Sequence, residues 1–118
     1  MAYVSGFLVA VPEGNKAAYL EMAHKGWEVF KDYGCLEMHE NWEDDVPEGK
    51  VTSFPMAVKR EAGEKVVFSW MVWPDKETAQ AGFAKMMEDP RMKDMQDMPF
   101  DGMRMMWGGF EPVAVFRA

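Results

Sequence analysis

The chain predicts an α+β fold, a sheet built in the order βαββαβ with its helices on one face. Three observations carry that reading. The run Lys65 to Trp73 (KVVFSWMVW) is rich in β-branched and aromatic residues and stops at Pro74, as a buried strand does. Its two alternating sets, Val66, Phe68, Trp70, Val72 and Val67, Ser69, Met71, Trp73, are both unsuited to water. Tyr3 to Val11 (YVSGFLVAV) is likewise apolar on both sides, and after each of these strands the period changes to that of a helix.

Taken in order, Tyr3 to Val11 is the first strand, with Tyr3, Phe7, Val9 and Val11 on one face and Val4, Leu8 and Ala10 on the other. Pro12-Glu13-Gly14 ends it, and Asn15 is the expected N-cap of a helix over Lys16 to Tyr33. Leu20, Ala23, Trp27 and Phe30 form that helix's apolar stripe, and Gly34 stands at the C′ position. Cys35 to Trp42 is a second strand of mixed polarity: Cys35, Glu37, His39 and Asn41 point one way, Leu36, Met38, Glu40 and Trp42 the other. Mixed polarity suits an edge strand or one wall of a cleft. Glu43 to Lys50 is a polar turn, and Val51 to Val58 is expected to be extended but kept out of the sheet interior by Pro55.

After the strand at Lys65 to Trp73, Asp75 caps a helix whose stripe is Ala79, Gly82, Phe83, Met86 and Met87. Asp89-Pro90 opens a short helix through about Gln96. Met98 to Gly102 is turn chemistry; Met103 to Trp107 and Val113 to Phe116 read as extended, interrupted by Gly108-Gly109 and Pro112, where a bulge or bend is expected. Two βαβ units in series make a split, ferredoxin-like sheet in which the first and third strands are central. Those are the two doubly apolar strands. Helices cover one of their faces, so the other needs a second copy, and the expectation is a homodimer closing into an α/β barrel.

With 118 residues the chain is read as a single domain, 1–118. A net charge of -7 without a Lys/Arg cluster argues against nucleic acid as partner. Cys35, the one cysteine, allows no intrachain disulfide, and no apolar run approaches the ~20 residues of a membrane span. A cytoplasmic protein is expected, with no membrane partner.

Candidate chemistry is sparse. His39 shares a strand face with Glu37 and Asn41, which puts a carboxylate beside an imidazole and makes His39 the candidate general base. A polar edge strand facing solvent explains the same three residues. Trp70 and Trp107 at a pocket rim, with Arg104 as countercharge, suit a flat, partly aromatic or acidic organic ligand. His24 sits at the margin of a helical stripe. The methionines, among them Met92, Met95 and Met98 at three-residue steps, suit adaptable packing rather than Cu(I). Asp44-Asp45 lies in a hydrated turn and completes no cation shell. No metal and no cofactor is expected.

The stretches Glu43 to Lys59 (EDDVPEGKVTSFPMAVK), Val67 to Trp73 and Asp89 to Phe110, with the opening YVSGFLVAVP, resemble the YbaA-like family of small bacterial proteins of unknown function. The resemblance spans essentially the whole chain and implies a place in the dimeric α/β-barrel superfamily, which includes cofactor-free monooxygenases, haem-degrading enzymes and isomerases beside members without known activity. It carries over no catalytic residue. Two functions stay open: a homodimer that binds or transforms a small organic molecule in a pocket between sheet and helices, or a non-catalytic dimeric interaction protein. Whether the chain is an enzyme is not decided by its residues.

Overall fold

The computed structural model describes residues 2–93 and 98–118. The four strands are β1 (Tyr3–Pro12), β2 (Glu37–Trp42), β3 (Glu64–Trp73) and β4 (Met106–Phe110), hydrogen-bonded in the order β2-β3-β1-β4 with every neighbouring pair antiparallel. The two doubly apolar strands are therefore the central ones. They pair over ten residues, from Tyr3 opposite Trp73 to Pro12 opposite Glu64. The polar strand β2 lies at one edge.

Helices α1 (Lys16–Asp32) and α3 (Lys76–Glu88) pack on the face that carries Val9, Val11, Val67, Met71 and Trp73. Trp73 is fully buried among Phe30, Phe83 and Ala79, its ring edge-on to Phe30 at 6.2 Å and tilted against Phe83 at 5.6 Å. A second cluster on the same face joins Val9, Val11, Tyr19 and Val67 to Met22, Trp42, Phe100 and Met105. Asp75 caps α3 by accepting the Thr78 N–H at 2.7 Å, and Gly34 follows α1 with φ +102°.

Several local expectations are corrected. Asn15 stands at the N-cap position of α1 but its side chain makes no capping bond; it closes a 3-10 turn, Glu13–Asn15, and its amide donates to the Pro99 carbonyl at 2.9 Å, tying the helix start to a distant turn. Val51 to Val58 holds a helical turn, α2 (Phe54–Ala57), instead of extended chain. Ser53 Oγ accepts the Met56 N–H at 3.1 Å and Pro55 sits in the first turn, where its missing N–H is harmless. This turn lies on the side of the sheet opposite α1 and α3, where Val58 packs with Ala10 and Val66. Helical cover is thus not confined to one face.

Toward the C-terminus, the strand starts later than its residues suggest. Asp101 accepts the Met103 N–H at 3.0 Å and turns Gly102–Arg104 into a 3-10 helix, so β4 begins at Met106. No bulge occurs at Gly108-Gly109, which pair in register with Gly6 and Ser5; the chain bends at Val113, just past Pro112. A side chain at Gly109 would collide with Tyr3, since its Cβ would stand 1.9 Å from the Tyr3 hydroxyl. Val113 to Phe116 forms no strand. A short helix α4 (Pro90–Lys93) follows Asp89; the continuation to Gln96 and the methionine step at Met95 lie outside the described residues. Among the described residues no helix is long and apolar enough to cross a membrane.

Ion pairs fasten the connections. Asp89, 7% exposed, accepts from Tyr33 Oη at 2.6 Å and from Arg91, which reaches Asp32 as well. Arg91 and Tyr33 together hold the Asp89 carboxyl well below its ordinary range. Arg104 likewise depresses Glu64 and Asp101. Burial works against the Glu43 charge, yet the Val66 N–H and Arg60 keep its pKa lowered too. A depressed folded-state pKa gives stability that is present above the unfolded value and lost as pH falls through it toward the folded one. The melting temperature should therefore drop steeply once pH falls below about 4, the unfolded carboxylate range. A melting curve unchanged between pH 6 and about 3 would contradict these pairings.

Candidate functional site

A groove of about 700 Å³ lies on the sheet face away from α1 and α3. The layer between sheet and those helices is filled by the Trp73 and Val9 clusters. The concavity thus lies on the other side of the sheet from the pocket expected between sheet and helices. Strand alternation builds its floor: Val4 and Leu8 of β1, Phe68, Trp70 and Val72 of β3, Met106 and Phe110 of β4. Phe68, Met106 and Phe110 keep 43%, 47% and 60% of their surface exposed, so the floor is apolar and open. Glu37 borders it from β2, and Arg117 from the segment after β4.

At the β2 edge an aromatic row begins. His39 stands opposite Trp70 in the strand register, and the two rings stack with centroids 4.5 Å apart at 23°. Trp70 meets Phe68 edge-on at 5.4 Å, and Phe68 meets Phe54 of α2 at 5.7 Å. Glu37 Oε1 is hydrogen-bonded to His39 Nε2, so the spacing of two along the strand does bring carboxylate and imidazole together. Both stay substantially exposed, at 56% and 40%. Asn41 does not reach into the groove; its amide donates to the Phe68 carbonyl at 3.0 Å and fastens β2 to β3.

The remaining residues expected at the site are elsewhere. Arg104 clasps Glu64 with two bonds of 2.8 and 2.7 Å, donates to Asp101 at 3.0 Å and to the Lys59 carbonyl at 2.9 Å. A guanidinium so engaged is a strap between the turn before β4 and the start of β3, not a free countercharge. The cation that does border the groove is Arg117. Trp107 stands opposite Phe7, a residue of the helix-side core, so its side chain points to that side at the β4 edge and is 71% exposed. Its chain nonetheless borders the groove. His24 is exposed on α1. Cys35 is buried, and burial pushes its thiol pKa up, away from the reactive thiolate.

One polar cluster escaped notice in the sequence. Glu40 Oε2 accepts from Tyr19 Oη at 2.6 Å and from Ser69 Oγ at 2.8 Å, on the helix side of the sheet. Burial raises the Glu40 pKa against these two donors, and burial with the adjacent Glu40 raises that of Tyr19. The signal was present: Glu40 is the polar member of an otherwise apolar inward set on β2, and Ser69 the polar member of its set on β3. Each is the other's answer. Of the methionines, Met86 and Met105 pack into the core, while Met87, Met98, Met103 and Met106 are exposed. No group of three or more His, Cys, Asp or Glu able to hold a metal occurs among the described residues.

The family model described as "Protein of unknown function (DUF1428)" matches residues 2–102. The uncharacterized protein YbaA of Escherichia coli (strain K12) is 56% identical over 114 residues, covering 96% of this chain and 97% of that protein. YbaA of Shigella flexneri matches to the same extent. Among solved structures, a dimeric ferredoxin-like protein from an uncultured marine organism superimposes with a TM-score of 0.56, covering 99% of this chain and 98% of that one at 11% identity. That likeness agrees with the β2-β3-β1-β4 order. By family match and by near-full-length identity, the chain belongs to the DUF1428 (YbaA-like) family of proteins of unknown function.

Proposed function

We propose that the chain works as a homodimer joined through the open sheet face, and that the corner formed by Glu37, His39 and Trp70 is a binding place for a small, flat, partly aromatic organic anion. The observation that carries the reading is the open floor of Val4, Leu8, Phe68, Trp70, Met106 and Phe110 in a chain whose other sheet face packs its central strands against α1 and α3. Side chains of this size each favour burial by roughly 1.5–3 kcal/mol, so a second copy is the cheapest cover. The dimeric state of the ferredoxin-like structural relative supports the same assembly. At the corner, Trp70 offers a stacking surface, the imidazole can donate or accept a proton, and Arg117 supplies positive charge from across the groove.

Sedimentation equilibrium should give a dimer at micromolar concentration; a stable monomer would overturn the assembly. Thermal-shift screening against aromatic carboxylates, flavins and haem should raise the melting temperature of the native protein for at least one carboxylate. With that carboxylate in hand, His39→Ala should abolish the shift while changing stability by no more than about 1 kcal/mol. A second reading, a purely structural dimer, is favoured by one observation: Glu37 and His39 already satisfy each other, and Asn41 is bonded to β3. No shift with any ligand, in a protein confirmed as a dimer, would decide for it.

A further inference from the structure

The segment 111–118 after β4 has no regular secondary structure and lies outside the sheet, and it carries two different surfaces. Pro112, Ala114, Val115 and Arg117 border the groove of their own protomer. Val113 and Phe116 do not line it; each keeps 92% of its surface exposed. An irregular segment that lies along an apolar groove while leaving a Phe and a Val open to water is half covered. Isolated exposed hydrophobics are ordinary, but these two sit on a segment already bordering an apolar floor.

The size of the open face points to the same missing cover. Strands of ten, six, ten and five residues give it a plan area of roughly 500 Å² at the usual strand spacing and rise. Part of that lies beneath α2 and Val58. A specific interface takes about 800 Å² from each partner. Side-chain relief makes the accessible area of such a face larger than its plan, so face and segment together reach that scale, the segment being apolar surface continuous with the face.

We infer that residues 112–117 form part of the subunit interface, held between the two sheets, with Val113 and Phe116 of each protomer covered by the open sheet face of the second copy. The inference rests on the homodimer proposed above and adds to it which segment crosses. Because a two-fold interface is self-complementary, each protomer both gives this segment and receives it, so every substitution there acts twice. The ligand corner then lies in a space shared by both copies, with Arg117 close to the crossing.

The test compares full-length chains by sedimentation equilibrium. A double variant, Val113→Asp with Phe116→Asp, should raise the dimer dissociation constant by on the order of a hundredfold or more. Met87→Asp, at a residue 72% exposed on α3, beyond the opposite face of the sheet, should leave it unchanged. Because Val113 and Phe116 touch almost nothing within the protomer, the variant's circular dichroism should remain that of a folded chain. A photo-crosslinking amino acid at position 116 should yield covalent dimers. A double variant that dimerises like the native protein, or crosslinks confined to single chains, would overturn the inference while leaving the homodimer standing. A native protein that is monomeric would overturn both.

Discussion

Trp73→Ala should cost about 3–5 kcal/mol, the largest effect of any single truncation in the protomer. Trp73 is 0% exposed, and it joins all parts of the main core: Phe30 from α1, Phe83 and Ala79 from α3, and Met71 on its own strand. Removing the indole leaves a cavity that cannot easily close, because α3 already approaches the ring through Gly82. A Cβ there would come within 2.8 Å of it. The control is Trp73→Phe. The indole N–H has no hydrogen-bond partner among the described residues, and an unpaired buried donor is itself a cost of ~1–3 kcal/mol. Phenylalanine retains most of the apolar surface and sheds that donor, so it should lose well under half of what alanine loses. Urea unfolding at fixed protein concentration measures both; equal losses for the two variants would show that the cavity is not the cause.

Phe68→Asp should separate the proposed dimer into folded monomers. Phe68 lies in the middle of the aromatic row, between Trp70 and Phe54, and keeps 43% of its surface exposed in the single chain. A carboxylate there stays hydrated in a monomer and becomes buried and unpaired in a dimer. The penalty for such a charge is well over 4 kcal/mol, about a thousandfold or more in the dissociation constant. From the residues alone, a charge at this strand would be expected to damage folding as much as association. The structure divides the two effects: positions 67, 69, 71 and 73 are core, whereas position 68 is an open surface. Sedimentation and circular dichroism run on the same sample check this, and a variant that is unfolded, or that dimerises as tightly as the native chain, would refute the division.

What was legible in the sequence was everything that depends on a short window. Double apolarity marked Tyr3 to Val11 and Lys65 to Trp73 as central strands, and the strand order places both there. The apolar stripes of α1 and α3 and the Asp75 cap were read within a few residues of where they stand, since periodicity and capping are local. The Glu37–His39 contact was visible for the same reason: two residues apart on a strand share a face.

The parts that were not legible are those set by where distant segments meet. Arg104 looked like a free cation until the turn at Asp101 carried it to Glu64, forty residues away along the chain. Asn15 stands at the cap position its residues suggest, but its side chain is taken up by the Pro99 carbonyl instead of the helix start. Val51 to Val58 had the composition of extended chain, but Ser53 and Pro55 begin a helical turn that the Ala10 and Val66 surface then holds in place. Glu40, Ser69 and Tyr19 each looked anomalous or unremarkable alone, and only the β2–β3 register and the lie of α1 make them a satisfied cluster. Periodicity says which side of an element a residue occupies. What stands on that side is decided by chain reversals of twenty to eighty residues, whose outcome depends on burying the whole core at once.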